Sequence, residues 1–374
     1  MDFELSEEQS LLKDSIDRFV LDHYSSEARI KLSETDLGFS RDHWKTMAEL
    51  GWLGMPFSEE VGGFGGSPVE TMIMMESMGK GLVLEPFFST VILSGALVAE
   101  AGSPAQIEAI IPEVIEGNLM LAFGYAEAQS RFNLSDVETT ATKSGDSYKI
   151  NGHKAVVYHG GTADKIIVSA RTSGNSRDED GISLFIINND AAGVDIQSYR
   201  TVDGQQAADI RLDNAEGELL GKEGKAFPII EKVTDNAIGA LCAEAVGAMA
   251  AANEITNEYL KTRKQFGVAI GKFQVLQHRM VDMYMEAEQS KSMSDMVAMK
   301  LALGYEVDTK KAVSATKAQI GKAAKFVGQQ SVQLHGGMGM TDEYSIGHYF
   351  KRLSTIEMLF GNTDYHLNRY SNLS

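Results

Sequence analysis

The 374-residue chain predicts an α+β fold in which a middle block of strands separates two helical blocks. Hydrophobic periodicity changes from 3.6 to 2 near residue 119 and returns to 3.6 near residue 223. The first block also opens its helices with capping boxes, and the last holds long helical runs without internal proline. With 43% hydrophobic and 23% charged residues, the composition is that of an ordinary folded protein. Three domains are expected, over 1–118, 119–222 and 223–374.

In the first block, Ser6-Glu7-Glu8-Gln9 is a capping box, followed by Leu11, Leu12, Ile16, Phe19 and Val20 at helical spacing. Apolar helices are predicted over 69–79 and 89–101. At Ser103-Pro104-Ala105-Gln106 the box recurs with proline at the first helical position, where no amide donor is needed. Gly62-Gly63-Phe64-Gly65-Gly66 reads as a tight connection using positive φ, with a ligand-facing loop as the alternative.

In the middle block, Asn151-Gly152 between Tyr148-Lys149-Ile150 and residues 154–158 predicts a hairpin, since Asn-Gly suits a type I′ turn. Further strands are expected over 165–170, 182–187, 194–199 and 208–212, together forming a small antiparallel barrel or sandwich. The polar, glycine-containing stretch 171–181 reads as an exposed loop. In the last block, helices over 227–262, 273–303 and 308–330 suit a bundle. Methionines 280, 283, 285, 293, 296 and 299 on the middle helix read as packing residues.

Charge narrows the partners. Lys+Arg 34 against Asp+Glu 52 leaves a net charge of −18, which disfavours nucleic acid and requires any phosphate-bearing ligand to be held by a few placed cations. The single Cys242, within an apolar run, reads as a buried small hydrophobe and not half of an internal disulfide. The acidic opening lacks the basic and apolar regions of a signal peptide, and no stretch is read as long enough to cross a membrane, so the cytoplasm is the expected location. No metal ligand is assigned.

The last block carries Arg263-Lys264-Gln265-Phe266-Gly267, Phe273-Gln274, and Gln333-Leu334-His335-Gly336-Gly337-Met338-Gly339. In order, approximate spacing and block layout these motifs resemble the acyl-CoA dehydrogenase family, and the resemblance covers essentially the whole chain. The opening 1–20 and the stretch 61–87 look most like the small subunit of pimeloyl-CoA dehydrogenase-type enzymes. The resemblance implies that Arg263, Gln265, Phe266, Gln274, Gln333, Gly336 and Gly337 contact the ADP half of an FAD held mainly by a neighbouring subunit. The residue types suit such a contact, because a planar guanidinium matches phosphate oxygens, amides offer hydrogen bonds, and glycines let backbone approach a ligand. His335, inside the motif, reads as a positioning group.

Other expected parts are missing. Where the family usually has Thr-Glu-Pro-x-Ala-Gly-Ser-Asp, this chain has Ala126-Glu127-Ala128-Gln129-Ser130-Arg131-Phe132-Asn133. Where it has Trp-Ile-Thr-Asn-Gly-Gly, this chain has Val156-Val157-Tyr158-His159-Gly160-Gly161. The family's two placements of the glutamate that removes the substrate's α-proton fall on Phe360 and Ala237, neither of which accepts a proton. Glu244 is an alternative base, but within its apolar helix it more simply pairs with a polar partner. Glu357 and Asp364 flank Phe360.

The chain is therefore read as the cofactor-contributing subunit of a heteromeric acyl-CoA dehydrogenase, an α2β2 oxidoreductase acting on CH–CH groups and active only with a partner. A homologous subunit, FAD, an acyl-CoA and an electron-transfer flavoprotein are the implied partners. A self-sufficient homo-oligomer with a relocated base and a flavin-free scaffold are the rival readings. The acyl class, whether fatty, dicarboxyl or sterol-like, stays open.

Overall fold

A computed structural model describes residues 5–373; residues 1–4 of the acidic opening and Ser374 lie outside them. The described chain comprises two compact units, one from residues 5–34, 67–83 and 238–373, the other from Thr35–Gly66 and Leu84–Ala237.

In the first unit, α1 (Glu7–His23) starts at Ser6, whose hydroxyl accepts from Gln9 N while the Gln9 side chain accepts from Ser6 N. Only Ile16 and Phe19 of the apolar residues expected to face inward are buried; Leu11 is 64% exposed, so the apolar stripe is narrower than its spacing suggested. α2 (Ser26–Ser33) follows, and α4 (Pro68–Gly81) opens on a second capping box at Ser67. Helix α7 (Phe227–Thr262), which belongs to this unit from Ile238 onward, runs as predicted, α8 spans Gln274–Leu303, and α9 (Val307–His335) extends one turn beyond its predicted end. α9 is the bundle's axis: it packs on α8, α10 (Ile346–Met358) and α11 (Thr363–Asn372), and small residues such as Ala318, Ala323 and Ala324 admit close neighbours. One expectation is corrected. α7 is long and apolar enough to cross a membrane by length and composition, but 78% of its apolar window is buried within the protein, as in a core helix. Met283 is fully buried and Met285 half exposed, so the methionines of α8 do not share one role.

The second unit contains α3 (Arg41–Glu49), a π-helix over Phe87–Gly95, α5 (Ala96–Ala101), α6 (Pro104–Ile115) and a seven-stranded sheet. The strands are β1 (Leu121–Gly124), β2 (Thr140–Ser144), β3 (Ser147–Tyr158), β4 (Lys165–Arg171), β5 (Ile182–Asn188), β6 (Val194–Arg200) and β7 (Gln206–Leu220). Pairing runs β4-β2-β3-β7-β5 and returns from β5 to β4, which closes the sheet around a core including Tyr148, Ile150, Phe185 and Ile210. It is not wholly antiparallel, because β1 and β2 pair with β4 in parallel.

The predicted Asn-Gly hairpin is wrong. Asn151 and Gly152 lie inside continuous β3, at a register shift against β7. The turn sits earlier, at Gly145-Asp146 between β2 and β3, with Gly145 at φ +67°. Gly152 is needed for close approach: a Cβ there would overlap the Thr139 side chain. In the glycine-rich loop, Gly62 and Gly65 have positive φ, and a Cβ on Gly63 or Gly66 would overlap the backbone of Phe57 or Met55, which favours the tight-connection reading. The exposed loop expected over 171–181 is shorter, because Arg171 is buried and donates to the carbonyls of Val137, Ser135, Ser176, Asp178 and Asp180.

Candidate functional site

Neither expected base position holds a proton acceptor. Ala237 is buried, and Phe360 is a buried phenylalanine in the left-handed region at φ +55°. The backbone around Phe360 is held from several sides. Lys317, fully buried on α9, donates from Nζ to the carbonyls of Glu357 (2.9 Å) and Gly361 (2.7 Å), and burial pushes its amine down to about 8. Buried His366 donates from Nε2 to Phe360 O at 3.1 Å, while burial holds the imidazole at about 3, so it is neutral. Glu357 Oε1 accepts from Thr363 N, and Asp364 lies in the first turn of α11.

Glu244 is committed elsewhere. Both its oxygens accept from buried Arg352, Oε1 from Nε at 2.6 Å and Oε2 from Nη2 at 2.8 Å, a two-point pairing of planar groups. The expected polar partner is thus an arginine 108 residues away.

The residues assigned to the cofactor stand at one end of the helical unit. Arg263 follows α7, and a two-stranded hairpin of β8 (Lys264–Gln265) and β9 (Val268–Ala269) leads through Phe273 to Gln274 at the start of α8. Phe266 is 89% exposed at φ +53°, its ring edge-on to Phe273. Gln333, Gly336 and Gly337 at the end of α9 are also exposed. Tyr259 on α7 connects the two groups, donating to His335 O at 3.3 Å with the rings 4.3 Å apart. Lys261, Arg263, Lys264 and Lys272 are exposed within one short stretch of a chain whose net charge is −18. Cβ atoms on Gly336 or Gly337 would meet nothing, so packing within the chain does not require either glycine; backbone conformation favours it only at Gly336, φ +59°.

In the β unit, Glu127 accepts from Lys154 Nζ (2.6 Å), Gln129 Nε2 (2.8 Å), Glu138 N (2.8 Å) and Thr139 N (3.1 Å), which ties the 127–139 segment to β3. Burial alone would raise the Glu127 carboxyl, but the Lys154 ammonium and the other donors hold it at about 2. Ala126 has no side-chain hydrogen-bonding group. Val156 is 44% exposed at φ +51°, a conformation that β-branched residues avoid, with its amide donated to Asp209 Oδ1.

Models of the acyl-CoA dehydrogenase N-terminal, middle and C-terminal domains match residues 6–118, 122–215 and 226–372. The short-chain-specific acyl-CoA dehydrogenase of Clostridium acetobutylicum is 30% identical, with 97% of each chain covered. The chain belongs to the flavin-dependent acyl-CoA dehydrogenase family. Among solved structures of such proteins, an FAD complex of PigA is 25% identical at a TM-score of 0.91, covering 99% of this chain and 98% of that one. The Tcur3481-Tcur3483 steroid ACAD is 27% identical at a TM-score of 0.88, covering 98% and 97%.

FAD is the cofactor of this acyl-CoA dehydrogenase family. The exposed end of the bundle, with a planar cation, amides and two glycines open to solvent, fits a dinucleotide. The β-unit positions fit less well, because Ala126 and Val156 offer neither a hydroxyl nor an aromatic cover. Sequence reasoning missed Arg352, Lys317, His366 and Lys154. No local signal set Lys317 or Lys154 apart from the neighbouring lysines, and nothing local marked Arg352 as the partner of Glu244.

Proposed function

We propose that this chain is the cofactor-contributing, base-lacking subunit of a heteromeric acyl-CoA dehydrogenase, with the three-domain division at 118 and 222. The carrying observation is the segregation of its site residues. Arg263, Gln265, Phe266, Gln274, Gln333, Gly336 and Gly337 stand exposed, whereas the base positions are the buried apolar Phe360 and Ala237. A chain that served its own flavin alone would have no use for half of a site.

In this reading Arg263 would hold a diphosphate through its planar guanidinium, the three glutamines would supply amides to the nucleotide, and Phe266 would give it an apolar face. A bound flavin supplies a hydride acceptor for the substrate's β-carbon. Proton abstraction falls to a glutamate of the partner subunit, since neither Phe360 nor Ala237 takes a proton. The product is an α,β-unsaturated acyl-CoA, and an electron-transfer flavoprotein is the proposed electron acceptor. The resemblance to the two-named steroid ACAD supports a heteromer and adds a sterol-like acyl group to the substrates to try. The homo-oligomer with Glu244 as base is disfavoured because that carboxylate is buried in an ion pair.

Purification of the tagged chain from its own host tests the proposal. A second family member carrying the glutamate should co-purify, with one flavin per pair of chains. A homo-oligomer with one flavin per protomer, bleached anaerobically by an acyl-CoA, would end the heteromer reading.

A further inference from the structure

We propose that Tyr259 is the positioning residue of the nucleotide half-site, fixing the end of α7 against the end of α9 so that Arg263 and Gly336-Gly337 face one ligand. The inference rests on the assignment of those residues to FAD.

Tyr259 touches both halves of the set. Its carbonyl accepts from Arg263 N at 2.8 Å, which closes the last turn of α7 where Arg263 leaves the helix. Its hydroxyl donates to the carbonyl of His335, the residue before Gly336. This carbonyl lies where α9 ends and the 3-10 turn Gly336–Met340 begins, with His335 as the N-cap of that turn. Ring packing adds a second constraint. Tyr259 lies on the His335 imidazole with centroids 4.3 Å apart, and Tyr344 packs against both at 6.0 and 5.0 Å. His335 cannot swing freely within this cluster: it is buried, and Nδ1 donates to Ser331 O at 2.7 Å. Burial depresses its pKa against the opposing hydrogen bond to Ser331 O, which favours the neutral imidazole. An aromatic residue serving the core alone would have no need to place its hydroxyl on a helix-terminal carbonyl beside an exposed glycine pair.

The test measures FAD retention by the assembly that the tagged chain forms in its host, for Tyr259→Phe, Tyr259→Leu, Arg263→Ala and the Tyr259→Leu/Arg263→Ala double variant. Loss of one long neutral hydrogen bond in Tyr259→Phe should weaken retention about threefold. Loss of the ring cluster in Tyr259→Leu should weaken it about tenfold or more. Because Tyr259 acts through the placement of Arg263, the double variant should lose less than the product of the single losses. His335→Phe, which keeps the ring, should stay within about threefold of wild type, while His335→Ala should follow Tyr259→Leu. Strictly multiplicative losses, or wild-type retention in Tyr259→Leu beside a defective Arg263→Ala, overturn the positioning role and leave the family-level half-site standing. Unchanged retention in Arg263→Ala removes the half-site assignment itself, and this inference with it. If Tyr259→Leu fails to fold, the Tyr259→Phe comparison in the two Arg263 backgrounds decides.

Discussion

Replacing Glu244 by glutamine separates a structural from a catalytic carboxylate. In the native chain both oxygens of Glu244 meet the Arg352 guanidinium, at 2.6 and 2.8 Å, and both side chains are buried. The helix that carries Glu244 is tightly packed: a Cβ added at Gly79 would overlap the Glu244 backbone, and one at Gly247 would overlap that of Glu76, so α4 and α7 touch main chain to main chain there. Glu244→Gln therefore leaves Arg352 as an uncompensated buried charge, which costs about 3–5 kcal/mol. At roughly 2–4 °C per kcal/mol for a unit of this size, the melting temperature should fall by about 6–20 °C. Replacing both partners by apolar residues of similar volume, as in Glu244→Leu with Arg352→Met, should recover most of the loss, because two desolvation costs disappear together. Circular dichroism melts of the wild type, Glu244→Gln and the Leu/Met double variant measure the loss and its recovery, and anaerobic flavin bleaching by an acyl-CoA measures chemistry in parallel. A Glu244→Gln chain that melts like wild type but no longer bleaches would refute this reasoning and make Glu244 the base.

Arg263→Ala should weaken FAD retention tenfold or more without preventing assembly, since charge-assisted bonds contribute about 1.5–3 kcal/mol each; flavin absorbance after gel filtration checks it. Val156→Gly should leave stability unchanged or raise it by up to about 2 kcal/mol, because relief of left-handed strain offsets glycine's entropy cost at a position 44% exposed; a loss above about 1 kcal/mol in urea titration would contradict this. The Glu127 carboxyl lies near 2 in the folded chain against an ordinary 4.5, so its contribution is complete above about pH 4.5 and is lost as pH falls toward 2. Glu127→Gln should accordingly reduce the proton uptake on unfolding across that window by about one proton, as read from the pH dependence of stability.

What the sequence determined by itself was local. The start of α1 follows from its capping box and the extent of α7 from periodicity over neighbouring residues, and the ordered C-terminal motifs were enough to point to the family. Their common location, with Arg263, Gln274, Gln333 and Gly336 at one end of the bundle, needed the Tyr259 to His335 contact, which spans 76 residues. Asn151-Gly152 carried a strong turn signal and became a strand because Thr139 presses on Gly152 and β7 supplies a bulged partner, both remote in sequence. Leu11 fits a helical stripe yet faces solvent, since periodicity gives a direction on the helix but not the width of the surface it meets. The fate of the charged groups was the least legible part. Whether Glu244 is a base or half of an ion pair depends on Arg352, 108 residues away, and whether Lys317 is a surface lysine or a buried clamp depends on the carbonyls of Glu357 and Gly361. A buried charge is tolerated only where partners converge on it, and that convergence is a property of packing that one-dimensional spacing does not encode.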